Sequence, residues 1–336
     1  MRLRLLALSL LSATVASLAL LAPASADDAK VEPTSHPILW QIEGETPSFL
    51  YGTMHVPDER VTTLPPVVTA AIDRCDALFC ELPMDQASQM KESMAMLPKM
   101  MLPQGQTLQT VLPAELYERV TAYLKAKGQG QVMMMMGRMK PWVISMQMGQ
   151  LEFAQDMQSG KKALDVVIYE RAQKDKKQVG GLETMGEQVG VFDALTMEEQ
   201  VTQLSETMDG LEKAQKEEKS PNEELVQMYL AGDIEGMQKK ADDEMGENKS
   251  ALADKLRQSL IIDRNIRMAD RIEAKMKEAP GTSFYFAVGS LHYPGPQGII
   301  KLLEAKGMKL TRLTNEDAAK FPRPEKKPAG DKAEKH

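Results

Sequence analysis

The alternation of apolar and polar positions divides the chain into a strand-bearing beginning, a long helical middle and a strand-bearing end. Near the start, the runs 38–43 and 48–52 are parted by Gly44 and Pro47 and predict two short strands. Proline is tolerated in a first helical turn, so Pro65 opens a predicted helix that runs to about Arg74. The continuous apolar run 77–82 then predicts a short buried strand that carries Glu81 near its end. A βαβ-like opening results.

From 86 to 157 the apolar period becomes helical, and 163–174 reads as a further amphipathic helix before a short strand at 177–182. Residues 184–278 read as helix almost throughout, with few breakers besides Pro221, Gly232 and Gly236. Strand character returns at 283–288, a helix follows at 297–305, and 309–313 predicts a closing strand. The segment 315–336 is charged, rich in Ala and Pro, and lacks an apolar face, which predicts a disordered tail. The fold class is therefore α/β or α+β: a central β-sheet built from both ends of the chain, flanked by helices, with a long helical Met-rich middle. The two ends must meet.

The first 26 residues stand apart from this scheme. Arg2 and Arg4 precede an apolar run to Leu21, and Ala24-Ser25-Ala26 offers small residues for cleavage. That layout predicts a signal peptide cut after Ala26, with a polar leader at 27–37 and a periplasmic or secreted protein. No Cys sits at the cleavage point, against a lipid anchor, and no later run has the ~18 apolar residues of a spanning helix. The net charge is −7, and cleavage would remove two arginines and leave the chain more acidic still. Such a chain is a poor partner for phosphate backbones, so nucleic acid is set aside. The two cysteines, Cys75 and Cys80, make no disulfide framework. They read as small buried hydrophobes or as one bridge.

Candidate chemistry lies in an internal echo. Phe49-Leu-Tyr-Gly52-Thr53-Met54-His55-Val-Pro57 aligns without a gap to Phe286-Ala-Val-Gly289-Ser290-Leu291-His292-Tyr-Pro294. Each copy follows a predicted strand. Of the four histidines, His36 lies in the leader and His336 ends the chain, so His55 and His292 are those of the folded region. Glycine at a strand end permits backbone conformations and close approaches that a Cβ would block. A histidine three residues later lies just past the strand tip, where ligands gather in open α/β sheets. Two imidazoles delivered this way suit a metal site, although a duplicated structural turn would leave the same trace.

Further ligands would have to be carboxylates. Glu81 and Glu183 each end a short strand, and would emerge beside the histidines if the strands run parallel. Each is a candidate ligand or general base, the other reading being a strand-end acid facing water. Two His with one or two carboxylates suit a divalent transition metal such as Mn²⁺, Co²⁺ or Zn²⁺. Arg264 and Asn265 are candidates to polarise a substrate oxygen or anchor a carboxylate, against a plain surface ion pair. Asp165 opens a predicted helix, so N-capping is its simple explanation.

Taken together, these motifs resemble the TraB/GumN family, which includes TIKI-type metalloproteases. The resemblance is carried by Gly52-Thr-Met-His55, Glu81, Leu164-Asp165, Gly181-Leu-Glu183-Thr-Met-Gly-Glu-Gln188, Arg264-Asn265, Val288-Gly-Ser-Leu-His292 and Gly295-x-x-Gly298. It implies a single metallohydrolase domain over 38–314 with His55, Glu81 and His292 as the metal centre. Glu183 and Arg264-Asn265 would lie nearby. It further implies a peptide or protein substrate and Mn²⁺ or Co²⁺ dependence. Ala163 stands where the family often has Gly. An esterase on the same site, as in the distantly similar erythromycin esterases, is a second reading. A third is a non-catalytic periplasmic protein that binds metal or haem, to which the methionines lend thioether ligands. Those at Met133–Met136 are contiguous and so point around their helix, which favours packing and an adaptable apolar surface.

Overall fold

In the computed structural model, residues 31–151, 159–216, 223–246 and 250–321 are described. The expected signal peptide at 1–26 and most of the expected tail lie outside them.

Six strands form one mixed sheet: β1 (Leu39–Ile42), β2 (Ser48–Thr53), β3 (Ala77–Cys80), β4 (Gln178–Gly181), β5 (Phe284–Gly289) and β6 (Leu310–Arg312). Their order is β4-β3-β5-β2-β1-β6. The first four run parallel, while β1 is antiparallel to both β2 and β6. The fold is α/β. Parallel strands covered on both faces lose the alternation of half-buried ones. Accordingly β2, β3 and β5 are buried at every position. At the edge, β4 carries Gly180, where an added Cβ would lie 2.7 Å from the Phe79 ring.

The ends of the chain do meet, since β2 and β5 are neighbours in the sheet centre. The two echoed motifs are nevertheless staggered. Phe49 pairs with Tyr285 and Gly52 with Val288, one residue off the sequence alignment. A one-residue shift exchanges the faces of a strand. Phe49 and Tyr51 thus share a face with Tyr285, at ring distances of 6.3 and 6.0 Å, whereas Phe286 packs on the other face with Phe79 and Phe284.

The main core gathers around the sheet, with helices Pro66–Arg74, Leu164–Lys174 and Asp263–Glu278 packed on it. The Met-rich middle builds two further clusters, one with Leu108, Val120, Met148 and Met208, the other with Met96, Trp142, Met185 and Phe192. Methionine serves there as adaptable packing. The contiguous run divides as a helix requires: Met133 is buried, while Met134 and Met135 are 88% and 82% exposed. Among the described residues no helix is long and apolar enough to cross a membrane.

One expectation is revised, and one left open is decided. The described part of the tail is ordered: Asn315–Lys320 forms a 3-10 helix opened by a Thr314–Asp317 capping box. It ends on buried Phe321, edge-on to Phe49 at 5.1 Å. One aromatic residue supplies the apolar anchor that a charged composition obscured. Cys75 and Cys80 are free, buried thiols, and Cys75 donates to the Ile72 carbonyl.

Candidate metal centre at the parallel strand ends

All the strand-end candidates arrive at one edge of the sheet. The parallel strands β2, β5, β3 and β4 lead, in order, to His55, His292, Glu81 and Glu183. All four side chains are buried, as are Asp165, Arg264 and Asn265. Gly52 permits the central approach, because a Cβ there would lie 2.3 Å from Ile38 and 3.3 Å from Ser290. The chain then leaves β5 as a 3-10 turn, Ser290–His292, which the β2 exit lacks.

Glu81 is the hub. Its Oε1 accepts the Gly289 backbone N–H at 2.7 Å, and its Oε2 accepts Arg264 Nη2 at 2.5 Å and Gln188 Nε2 at 3.1 Å. Burial opposes its charge, but Arg264 and then the two histidines hold this carboxyl well below the usual range. Both imidazoles turn Nε2 toward the same oxygen, His55 at 3.8 Å and His292 at 3.9 Å from Oε1. Those separations exceed hydrogen-bond distance.

The other ring nitrogens have fixed and different partners. Asn265 donates its Nδ2 to the Gln297 carbonyl at 2.8 Å, so its Oδ1 faces His292 Nδ1 at 2.6 Å. His292 Nδ1 must then carry the proton, which leaves the Nε2 lone pair directed at Glu81. This Nε2 is buried and has no hydrogen-bond partner among the described residues. Burial and the nearby Arg264 cation, acting against Glu81, press the His292 pKa down to about 3. His55 Nδ1 instead faces Asp165 Oδ1 at 3.0 Å. Burial disfavours its cation, yet Asp165 and Glu81 outweigh burial and raise its pKa to about 10. The N-cap of helix Leu164–Lys174 is Ala163. The N-capping expectation for Asp165 is therefore replaced: its side chain belongs to His55.

Glu183 lies one layer further out. Its Oε2 accepts Arg264 Nε at 2.9 Å, and its Oε1 accepts Arg267 through Nε and Nη2 at 3.1 and 3.0 Å. The carboxylate is committed to arginine and to Gln188, and it fixes the guanidinium that fixes Glu81. Arg264 is thus no surface ion pair. Arg264, Arg267 and Arg271 recur at helical spacing on Asp263–Glu278, and Arg271 extends the row to the Leu182 carbonyl and Glu187. A π-helical turn, Gln258–Ile262, immediately precedes this helix and sets the phase from which Arg264 and Asn265 project.

Sequence reasoning passed over Gln188, Arg267 and the Gly289 N–H as parts of the site. The spacing of Arg267 from Arg264 would have found the first of the arginine partners. A groove of about 530 Å³, lined by Trp40, Ile234, Tyr293, Pro294, Ile300 and Arg312 among others, opens just past His292 in the chain.

The sequence profile of the TraB/PrgY/gumN family matches residues 38–312. The chain belongs to that family. Among curated proteins it is similar to Metalloprotease TIKI1 of Danio rerio, 26% identical over 308 residues, which cover 80% of this chain and 61% of the relative. Metalloprotease TIKI2 of Xenopus tropicalis is 25% identical over 331 residues, covering 87% and 63%. Human Metalloprotease TIKI1 is 24% identical over 307 residues, covering 80% and 60%. The chain spans about three fifths of the length of these relatives. No solved structure matches it.

The relatives' names imply a metal, and the TraB/PrgY/gumN site can be tested for fit. Among the described residues no group of three or more His, Cys, Asp or Glu side chains is closed into a ligand cluster. Metal–nitrogen and metal–oxygen bonds of ~2.0–2.2 Å at a tetrahedral angle need N···O distances of roughly 3.4 Å. The observed 3.8 and 3.9 Å are about half an ångström wider. The donor chemistry nevertheless suits a cation: two imidazole nitrogens and one carboxylate oxygen converge, and one of those nitrogens is buried with no hydrogen-bond partner among the described residues.

Proposed function

We propose that this chain is a metal-dependent hydrolase, and specifically a peptidase, with His55, His292 and Glu81 as the residues that would hold the ion. One observation carries the reading: the buried Nε2 of His292, with no hydrogen-bond partner among the described residues, is aimed at a carboxylate oxygen that His55 approaches from another strand. A buried polar atom with no partner costs about 1–3 kcal/mol, which a cation bound at this nitrogen would offset. A divalent ion, when bound, supplies Lewis acidity toward a carbonyl and a water of lowered pKa. The chain's own residues do the rest. Arg264, Gln188 and the Gly289 N–H keep Glu81 ionised and oriented. Glu183 and Arg267 keep Arg264 in place, so we assign Glu183 to support rather than to ligation or base catalysis. Asn265 keeps the His292 lone pair on the ion side.

Peptide bonds are favoured as substrate because the similar curated proteins are named metalloproteases. The groove beside Tyr293 and Pro294 is where we seat an adjoining stretch of peptide. Arg2 and Arg4, the apolar run after them and the small-residue cleavage site support action outside the cytoplasm. The test is hydrolysis of a peptide library by the mature protein supplied with Mn²⁺, Co²⁺ or Zn²⁺. Cleavage abolished by a chelator and by Glu81→Gln is expected. Cleavage that survives both would refute the assignment.

A further inference from the structure

The two imidazoles are gripped differently, and the difference assigns a role to a residue outside the ion-holding set. Asp165 Oδ1 lies 3.0 Å from His55 Nδ1 as a buried ion pair, and among the described residues neither Asp165 oxygen has a well-aligned hydrogen bond. A carboxylate placed inside a fold with so few partners is costly to keep. Helix capping does not account for it, since Ala163 is the N-cap and makes no side-chain cap bond. What the carboxylate does touch is the back of an imidazole whose front faces Glu81. His292 has a neutral grip at the same ring position, Asn265 Oδ1 at 2.6 Å.

We infer that Asp165 is the positioning residue of His55, an anionic clamp that makes His55 the stronger of the two nitrogen ligands, while the neutral amide of Asn265 leaves His292 the weaker. A carboxylate behind an imidazole fixes the ring and its Nδ1 proton, and raises the basicity of the opposite nitrogen; an amide oxygen fixes the ring without that added basicity. The same motif therefore delivers two unequal ligands. This rests on the metal-centre reading given above, and concerns what surrounds the ligands rather than which they are.

The experiment uses the mature full-length protein, stripped of metal and titrated with Co²⁺, reading both the dissociation constant and the visible absorption band of the bound ion. Asp165→Ala is expected to weaken Co²⁺ binding about 10–100-fold and to shift the band. Asp165→Asn keeps an oxygen acceptor for the Nδ1 proton and nearly the same volume; it is expected to fall between wild type and Asp165→Ala. Asn265→Ala is expected to weaken binding less than Asp165→Ala. Circular dichroism confirms the fold of each variant, and Asp165→Asn carries the test if Asp165→Ala does not fold. Wild-type affinity and an unshifted band in both Asp165 variants would overturn the clamp while leaving the ion site standing. A wild-type protein that takes up no Co²⁺ would overturn the underlying reading and the clamp with it.

Discussion

The two histidine strand ends share a nine-residue pattern but not a chemistry. His55 leaves β2 in a tight turn, with the Val56 N–H donating to the Met54 carbonyl at 2.9 Å, and backs onto a carboxylate that helps raise its pKa to about 10. His292 leaves β5 in a 3-10 turn, backs onto an amide near a buried guanidinium, and is held neutral with its pKa lowered to about 3. Neither motif copy contains the residue that makes the difference. Asp165 comes from the start of one helix and Asn265, with Arg264, from another just after a π turn. A repeated motif fixes where a side chain emerges from a sheet; the elements packed over that point fix its protonation and what it can bind.

Substitutions at this edge can break the comparison or sharpen it. The largest effect is expected from Arg264→Met, which removes the cation shared by Glu81 and Glu183 and leaves both carboxylates buried together. Breaking a buried pair this way costs about 3–5 kcal/mol, readable as a shifted midpoint in urea unfolding. Both histidine ends should fail with it, since both face Glu81. Next, His292→Ala and His55→Ala should each remove tight ion binding in a dialysis assay. Retained binding in one of them alone would make the site a one-histidine site. Gly52→Ala should then destabilise the fold by about 1–3 kcal/mol in thermal unfolding, because its methyl must displace Ile38. A stable, fully active Gly52→Ala protein would show that the close β2–β5 exit is not required. Glu183→Gln should leave the ligands in place but loosen Arg264, lowering peptide turnover more than ion affinity. Smallest of all, Met134→Gln with Met135→Gln should shift stability by less than about 0.5 kcal/mol, being fully on the surface.

Much of this edge was legible in the sequence. The apolar runs placed the strands to within one or two residues, and Glu81 and Glu183 were placed at the strand edge that holds His55 and His292. The stagger of β2 against β5 was not legible, because fully buried parallel strands carry no alternation from which a register can be read. Asp165 looked like a helix cap because an acid at a helix start usually is one; only the tertiary approach of β2 turns it toward His55. The π turn before Arg264 left no mark in composition or period. Phe321 was missed because a single aromatic residue does not alter the average of a charged tail.

The central claim is that His55 and His292, from strands that meet in mid-sheet, serve one ion together with Glu81. Elemental analysis of the mature protein after incubation with Mn²⁺, Co²⁺ and Zn²⁺, beside the His55→Ala/His292→Ala double variant, tests it most directly. About one transition-metal ion per chain, absent from the folded double variant, is the expected result. No ion in the wild type, or the same ion content in the double variant, would contradict the claim.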